Sequence, residues 1–177
     1  MSISIIAAIG NNNELGKNNT LLWDLPSDMK HFRTITSGHP VIMGERTFRS
    51  LWRNEAGIQV GKPLPNRRNI VITLDKEYKP EGVEVVYSID EVIALCKQNN
   101  QEEFFVIGGG MIYKQMLDKA DKLYLTHVDI SVPDADTYFP IIDETKWKKI
   151  SEDKRPADEH NNLPFSFVTY IKIDKNY

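Results

Sequence analysis

The sequence predicts an α/β fold in a single domain, residues 1–177, with a mostly parallel central sheet and helices on its faces. Short apolar runs alternate with helix-like segments along most of the chain, which is the order of βαβ units. Near the end, residues 147–151 and 165–173 read as two strands joined by a polar loop. An antiparallel hairpin at one edge of the sheet is the simplest account of this ending.

The individual elements follow from local patterns. Residues 3–9 are nearly all apolar, as in a strand buried on both faces. Similar runs predict strands at residues 40–43, 69–73, 83–86, 103–107 and 122–128. One helix is predicted to begin at Pro26, because proline suits the first helical turn. A second follows the capping box of Ser88 and Glu91, and a third contains residues 111–117.

Two polar stretches interrupt this order. Residues 10–20 directly follow the first strand, contain glycine and are long enough to move, although a plain connection would have the same composition. Residues 52–61 are most simply a surface insertion.

Composition and charge exclude several classes of protein. The chain has 22 Lys and Arg against 25 Asp and Glu, a net charge of −3, so no overall field attracts nucleic acid or an acidic membrane surface. We also expect no membrane span and no signal peptide. Cys96 is the only cysteine, which excludes an internal disulfide and fits a reducing compartment. We expect a cytoplasmic monomer, although the sequence itself leaves the oligomeric state open.

A carboxylate lies on the apolar face of the first predicted helix. At about 100° per residue, that face is formed by Leu25, Met29, Phe32 and Ile35. Asp28 falls inside the same arc. Burying an unpaired carboxylate there is unfavourable, so something must supply hydrogen-bond donors. The donor can be the helix's own backbone, an internal basic group, or a ligand whose amidine-like edge meets the carboxylate as arginine does.

Glycines and arginines mark candidate anion contacts. Residues 108–110 are three glycines between a strand and a helix, where the backbone can approach a phosphate closely, although a tight turn needs the same residues. Gly44, Arg46 and Thr47 stand at a similar junction. Residues 67–68 are arginines after two prolines, and either can meet a carboxylate or lie on the plain surface.

Other chemistries lack a supporting pattern. The four histidines share no ligand spacing, so we expect no metal site. Cys96 lies near the end of an amphipathic helix without the partners of a nucleophile. Neither a G-x-S-x-G elbow nor a phosphate-binding P-loop occurs.

Seven segments, taken together, resemble the dihydrofolate reductase family. In chain order they are SIIAAIG, LGKNNTLLWDLPSDMKHF, PVIMGERTF, LPNRRNIVI, FFVIGGGMIY, LYLTHV and DADTYFP. Each is modest alone, but seven in the family's order across nearly the whole chain are specific. The resemblance implies an eight-stranded sheet and reduction of 7,8-dihydrofolate to tetrahydrofolate by NADPH for one-carbon metabolism. It also implies that diaminopyrimidine antifolates bind.

The resemblance further implies site residues for catalysis and substrate binding. The catalytic residues are Asp28, Leu21, Trp23 and Thr126, where Asp28 binds the pterin's amidine-like edge and Thr126 supports it. Arg67 matches the residue that binds the glutamate α-carboxylate. The remaining substrate contacts are Ile6, Met29, Phe32, Leu51, Leu64 and Ile107.

The implied cofactor contacts come from the strand ends and from residues 10–23, which match a mobile lid over the nicotinamide. They are Ala8, Leu15, Gly16, Asn19, Thr20, Gly44, Arg46, Thr47, Thr73, Leu74, Gly108, Gly109, Gly110, Met111, Ile112, Tyr113 and Gln115.

Four features depart from the family's pattern. Leu22 stands where proline is common before the tryptophan, which bears on lid motion. Glu45 replaces a usually basic residue beside the cofactor phosphates, and Met111 an arginine of some bacterial members, which weakens the expected preference for the phosphorylated cofactor. Residues 52–61 are an insertion that would extend the rim of the substrate groove.

Two other interpretations stay open. A pyrimidine reductase of the riboflavin pathway shares the fold and the cofactor, although the acidic residue after WDLP argues against it. A non-catalytic nucleotide-binding module would use the same scaffold. A purely structural protein would leave Asp28 unexplained.

Overall fold

Strands and helices alternate along most of the computed structural model, which describes residues 1–18, 20–98 and 103–173. The strands are β1 (Ser2–Ile9), β2 (Glu14–Lys17), β3 (Thr20–Leu21), β4 (Val41–Gly44), β5 (Asn69–Ile72), β6 (Glu84–Val86), β7 (Glu103–Gly108), β8 (Lys122–Val128), β9 (Thr137–Tyr138), β10 (Trp147–Arg155) and β11 (Phe165–Lys172). The helices are α1 (Pro26–Thr36), α2 (Glu45–Ser50), α3 (Ile89–Gln98) and α4 (Gly110–Met116), and a 3₁₀ turn, Leu117–Lys119, follows α4.

Eight strands form one sheet in the order β10-β11-β8-β1-β7-β4-β5-β6. From β8 to β6 every neighbouring pair is parallel. The strand β11 runs antiparallel to β8 and to the edge strand β10. The predicted α/β fold, with a mostly parallel sheet and an antiparallel hairpin at one edge, is therefore confirmed.

Both faces of the central strands of the sheet are buried. Ile5 packs in a large cluster with residues of α3 and α4, whereas its neighbour Ile6 packs in a second cluster with Phe48 of α2 and Phe32 of α1. Successive side chains of a strand point to opposite faces, so adjacent residues enter different clusters. This explains why the central strands read as continuous apolar runs.

The first turns of α3 and α1 are stabilised differently. In α3, Ser88 Oγ accepts a hydrogen bond from the Glu91 N–H (3.1 Å), which confirms Ser88 as the cap. Glu91 Oε2 accepts a hydrogen bond from the Tyr87 N–H (2.8 Å), one residue before the position that the capping box predicts. In α1 the N-cap residue makes no side-chain cap. The Ser27 N–H donates instead to Asn161 Oδ1 (3.0 Å), which lies far along the chain.

The predicted lid is ordered by a buried carboxylate. The strand β2 pairs with β3 on one side and with β9 on the other, in a separate three-stranded sheet. Glu14 is 1% exposed and accepts hydrogen bonds from the N–H groups of Asn12 (2.7 Å) and Val132 (2.9 Å). Burial raises the pKa of Glu14, but hydrogen bonds from these amides and from the Asn12 side chain outweigh it, so the pKa is lowered. A charged Glu14 therefore links the lid to the loop that follows β8.

Strand β10 extends to Arg155, beyond the predicted end at Ser151. Its residues after Trp147 are all exposed, so no apolar alternation marks the strand. Pairing with β11 along its length defines it instead.

The part of the chain that the structure describes contains neither a membrane-spanning helix nor a cluster of metal ligands. No helix there is long and apolar enough to cross a membrane. No three His, Cys, Asp or Glu side chains of this part of the chain are grouped to hold a metal ion. Cys96 is buried, and burial raises the pKa of its thiol to about 11.

Candidate active site

The candidate site lies at the carboxyl ends of β1, β4, β5 and β7. Parallel pairing places these ends along one edge of the sheet, which is where ligands bind in open α/β sheets. The pairing of β4 with β7 shifts register after Ile42, so that Met43 pairs with Gly108. Side chains from α1, α2 and the lid surround this edge.

Asp28 is paired with a buried threonine. Thr126 Oγ1 donates a hydrogen bond to Asp28 Oδ1 at 2.6 Å. Thr126 is 3% exposed, whereas Asp28, in the first turn of α1, is half-buried. Among the described residues, Asp28 Oδ2 accepts no hydrogen bond and no Lys, Arg or His forms an ion pair with the carboxylate. Asp28 therefore has one oxygen held by the protein and one that accepts no hydrogen bond from the described residues.

This environment disfavours the charged form of Asp28. Burial raises the pKa of Asp28, and the hydrogen bond from Thr126 offsets only part of that effect. Since Asp28 neither caps its helix nor pairs with a basic residue of the described chain, a ligand that donates two hydrogen bonds would relieve the cost.

Apolar side chains form a wall beside Asp28. Five predicted substrate contacts belong to one cluster, in which Ile6 is buried and the other four retain exposed surface: Ile6, Phe32, Leu51, Leu64 and Ile107. Met29 lies outside this cluster and is 37% exposed. The structure thus brings together five of the six apolar residues.

Arg67 is positioned at the far end of α1. Its Nε donates to Thr36 Oγ1 (2.9 Å), Nη1 to the Pro65 carbonyl (2.7 Å) and Nη2 to the Arg33 carbonyl (3.3 Å). Thr36 is buried and donates to the Phe32 carbonyl (2.8 Å). A guanidinium has five N–H groups, so two remain for a carboxylate.

The two charged groups lie at opposite ends of α1. Asp28 and Thr36, which holds Arg67, lie eight residues apart on α1, or about 12 Å at 1.5 Å per residue. Burial, and then the charge of Arg33, lower the pKa of Arg67, although a guanidinium stays charged in proteins. Arg68, the other sequence candidate, pairs with Glu84 at 2.5 Å instead. The arrangement suits an elongated ligand with an amidine-like head and an anionic tail.

The glycine turn packs closely against two other segments. Gly108 has φ +129°, and the Gly108–Gly109 peptide is cis. A Cβ on Gly110 would lie 2.8 Å from Thr137 Cγ2, and one on Gly109 would lie 3.1 Å from Thr47 Oγ1. The protein's own packing therefore requires small residues here, and it brings Thr47 of α2 to the turn.

A groove of about 870 Å³ lies beside this turn. Six predicted cofactor contacts line it: Arg46, Thr73, Leu74, Met111, Ile112 and Gln115. Residues that the sequence analysis did not identify as contacts also line it, among them Arg49, Gln59, Tyr87 and Ser88. The groove thus unites α2, α4 and the end of β5, as the resemblance implies for the cofactor.

Glu45 links two sides of this groove. Its Oε1 accepts a hydrogen bond from Arg49 Nε (2.8 Å), and its Oε2 accepts one from Thr73 Oγ1 (2.5 Å). The bond to Glu45 raises the pKa of Arg49. Arg46 forms no ion pair with the residues that the structure describes. Arg46 is therefore a cation available to an anionic ligand, whereas Arg49 is already neutralised.

The lid lies against the glycine turn and the end of β1. Leu15 is half-buried, and its Cδ1 would be 3.9 Å from a Cβ on Gly110. Trp23 and Ala8 pack on one cluster with Leu25, Val128 and Phe165. These positions fit the predicted roles of Leu15, Trp23 and Ala8 near the cofactor.

The tip of the lid is more open. Leu21 is 67% exposed and Thr20 is also exposed, so the structure does not bring either side chain into the apolar wall. Gly16 packs closely against Thr20, because a Cβ on Gly16 would lie 3.0 Å from the Thr20 carbonyl oxygen. Asn19 lies outside the described residues.

Two predicted cofactor contacts of α4 are buried. The Tyr113 hydroxyl donates to the Ile6 carbonyl at 2.8 Å, and burial, followed by the charge of Asp28, raises its pKa. Ile112 packs against Gly44, because a Cβ there would lie 3.2 Å from its Cγ1. Tyr113 and Ile112 therefore support the ends of β1 and β4 from within.

The structure adds residues that sequence reasoning missed. Arg49 had a signal, because it stands four residues after Glu45 on a helix. Thr36 and Gln59 had none. Thr36 contacts Arg67 and Gln59 lines the groove, and both contacts join segments that are distant in sequence.

The chain is similar to known proteins along nearly its whole length. The family model described as "Dihydrofolate reductase" matches residues 2–172. Dihydrofolate reductase type 3 of Salmonella typhimurium is 42% identical over 169 residues, which cover 96% of this chain and 97% of that protein. Dihydrofolate reductase of Bacillus subtilis is 40% identical over 170 residues, 96% of this chain and 94% of that one.

A solved structure has the same fold. Dihydrofolate reductase from Enterococcus faecalis, complexed with NADP(H) and RAB-propyl, matches with a TM-score of 0.86 at 30% identity. The match covers 98% of this chain and 97% of that chain. Together with the matches above, this shows that the chain belongs to the dihydrofolate reductase family.

Proposed function

We propose that the protein reduces 7,8-dihydrofolate to 5,6,7,8-tetrahydrofolate with hydride from NADPH, for one-carbon metabolism and for thymidylate and purine synthesis. The observation that carries the proposal is the half-buried Asp28 carboxylate, which Thr126 holds at 2.6 Å while its other oxygen accepts no hydrogen bond from the described residues. The pterin's amidine-like edge presents two N–H groups, which match two carboxylate oxygens. Membership of the family supports the same reaction.

The rest of the substrate fits along α1. The apolar cluster around Phe32 would accommodate the benzoyl group, and the two remaining N–H groups of Arg67 would bind the glutamate α-carboxylate. A diaminopyrimidine antifolate, which presents a similar cationic edge, would bind at Asp28 as well.

The residues at the strand ends fit NADPH. The glycine turn lies against Thr47. Arg46 supplies a positive charge in the groove beside the turn. When bound, NADPH supplies the hydride. Leu15 and Trp23 of the lid would keep water from the reacting rings, which strengthens electrostatic interactions there.

Asp28 acts on the ring electrostatically. The pterin N5 must gain a proton, yet Asp28 would bind the opposite edge of the ring, so we propose that this proton arrives through water. A carboxylate fixed by Thr126 favours the protonated ring, which is the better hydride acceptor. Thr126 is thus a positioning residue for Asp28.

Three functions can be separated by one assay with NADPH. A dihydrofolate reductase should consume NADPH, and lose the absorbance of reduced nicotinamide, when dihydrofolate is added. A pyrimidine reductase of the riboflavin pathway would consume it only with the aminopyrimidine substrate. A nucleotide-binding module would bind NADPH and consume none, and either of these results would contradict the proposal.

Glu45→Arg is expected to increase the preference for NADPH over NADH. The change removes the carboxylate that neutralises Arg49 and adds a cation beside Arg46. We expect the ratio of kcat/KM with NADPH to kcat/KM with NADH to rise about tenfold at low ionic strength. The rise should be smaller in high salt, because salt screens exposed charges.

The matched control for this change is Glu45→Gln, which retains an acceptor for Thr73 but has no charge. It should give a smaller increase in the same direction. Equal cofactor ratios for both variants and the wild type at low salt would show that Glu45 lies away from the bound phosphate.

We also propose that the protein is a cytoplasmic monomer. The edge strand β10 carries exposed charges such as Lys148, Asp153 and Lys154, and charged edges disfavour pairing between sheets. The reduced, buried Cys96 fits a reducing compartment. Sedimentation equilibrium should give a mass near the 20.3 kDa of the chain; a mass twice as large would contradict the monomer.

A further inference from the structure

The helix α2 presents two charged residues to the cofactor groove as a pair. Glu45 and Arg49 are four residues apart, so they lie on one face of the helix, and both line the groove of about 870 Å³. Thr47 stands about 200° away around the helix and packs against the glycine turn instead. The face of α2 at the groove is therefore distinct from the face that meets the turn.

Two contacts position the guanidinium of Arg49. Its Nε donates a hydrogen bond to Glu45 Oε1 at 2.8 Å, and its Cζ lies 4.3 Å from the centre of the Tyr78 ring. Glu45 is itself held, since its other oxygen accepts a hydrogen bond from Thr73 Oγ1 at 2.5 Å. A planar guanidinium that is bonded along one edge and stacked on one face has little freedom to turn.

The Tyr78 ring belongs to a turn that forms one wall of the groove. The Asp75 N–H donates to Thr73 Oγ1 (3.0 Å), and the Tyr78 N–H donates to the Asp75 carbonyl (3.2 Å). Thr73 and Asp75 both line the groove. The turn of residues 73–78 therefore connects the ring under Arg49 with the hydroxyl that holds Glu45.

The ion pair leaves most of the donors of Arg49 unused. Only Nε contacts Glu45, and no described residue accepts a hydrogen bond from Nη1 or Nη2 of Arg49. These two nitrogens carry four N–H groups, and the Arg49 side chain is 42% exposed. Glu45 therefore offsets the charge of Arg49 without occupying the two Nη nitrogens, which can bind two phosphate oxygens at once.

The charges of the groove favour contact with more than one cation. Two acids, Glu45 and Asp75, line it together with Arg46 and Arg49. If a bound phosphate contacted Arg46 alone, two carboxylates would repel it and one cation would attract it. A second contact with Arg49 balances these charges.

We propose that Arg49 binds the phosphate on the cofactor's adenosine ribose through Nη1 and Nη2, and that Glu45 and Tyr78 position its guanidinium. The inference rests on the proposed function, because it assumes that NADPH occupies this groove. A diphosphate at the glycine turn would lie on the Thr47 face of α2, so the phosphate that meets Arg49 is the other one. Arg49 is then a specificity-determining residue beside Arg46.

The test separates direct contact with the phosphate from simple neutralisation of Glu45. Arg49→Ala alone cannot do this, because it also leaves the Glu45 carboxylate without its ion pair. The wild type, Arg49→Ala, Glu45→Gln and the double variant are therefore compared. Dissociation constants of NADPH, NADH and adenosine 2′,5′-bisphosphate are measured by calorimetry, without turnover. Thermal unfolding shows whether each variant retains the fold.

Adding Arg49→Ala to Glu45→Gln should weaken binding of NADPH and of the bisphosphate by about tenfold or more, as for the loss of a hydrogen bond to a charged group. NADH binding should change by less than about twofold, since NADH lacks that phosphate. The matched control is Arg53→Ala, which removes an exposed arginine outside the groove. It should bind all three ligands like the wild type.

If Arg49→Ala has no effect on the bisphosphate in the Glu45→Gln background, the proposal is wrong, because Arg49 then acts only by neutralising Glu45. Equal losses for NADPH and NADH would also overturn it, since the contact would not be with that phosphate. Failure of the proposed function is distinguishable: the wild type would bind the bisphosphate but not oxidise NADPH with dihydrofolate.

Discussion

Asp28→Asn is expected to lower hydride transfer at neutral pH by about 10²-fold to 10⁴-fold, the range typical of acid–base groups. The amide has the same shape but no charge, and its N–H groups would face the donors of the pterin edge. Single-turnover kinetics with dihydrofolate and NADPH measure this directly. Near-normal transfer in a folded variant would contradict the role of Asp28.

The defect should depend on pH. The carboxylate favours a protonated pterin, so its loss matters most where the free substrate is neutral. As the pH falls towards the substrate's own pKa, kcat/KM of Asp28→Asn should recover relative to the wild type. A ratio that is constant across pH would contradict an electrostatic role.

Stability should change in the opposite direction from activity. Because burial raises the pKa of Asp28 in the folded state, the folded protein binds the proton more tightly than the unfolded chain. Stability due to Asp28 therefore falls as pH rises from the unfolded pKa through the folded pKa. At neutral pH, Asp28→Asn should have an unfolding free energy equal to or above that of the ligand-free wild type, and this gain should disappear in acid.

Asp24→Asn is the matched control, because Asp24 is exposed just before the same helix. It should leave hydride transfer and stability unchanged. Diaminopyrimidine antifolates should lose affinity strongly in Asp28→Asn and retain it in Asp24→Asn. Equal affinities in the two variants would place the antifolate away from Asp28.

Arg67→Ala is expected to raise KM for dihydrofolate by roughly 10-fold to 100-fold with a smaller fall in kcat. A charge-assisted hydrogen bond contributes about 1.5–3 kcal/mol, and the glutamate lies away from the reacting atoms. The Thr36 hydroxyl and the Arg33 carbonyl also lose a donor, so some loss of stability should accompany the change.

Two comparisons separate binding from this structural effect. A dihydropterin without the benzoylglutamate should have the same KM with Arg67→Ala as with the wild type. Arg68→Ala removes the neighbouring arginine, which pairs with Glu84, and should leave KM for dihydrofolate unchanged. If Arg67→Ala also raises KM for the short substrate, Arg67 is not the glutamate anchor.

The fold was largely predictable because its signals are local. The apolar runs of the central strands and the capping box of Ser88 and Glu91 each lie within one element. Strand β10 was harder, since its residues after Trp147 are exposed and carry no alternation. The order of the lid was hidden for a related reason: Glu14 is polar, and its burial depends on Val132, far along the chain.

The sequence alone determined that Asp28 lies on the apolar side of α1 and that Gly108–Gly110 join a strand to a helix, because helical periodicity and chain order fix these positions. Only the tertiary structure decided what meets them. Thr126 contacts Asp28 from β8, and Gln59, which belongs to an insertion, lines the groove beside α4. Such contacts arise when strand pairing brings distant segments together, and no local pattern encodes the partner.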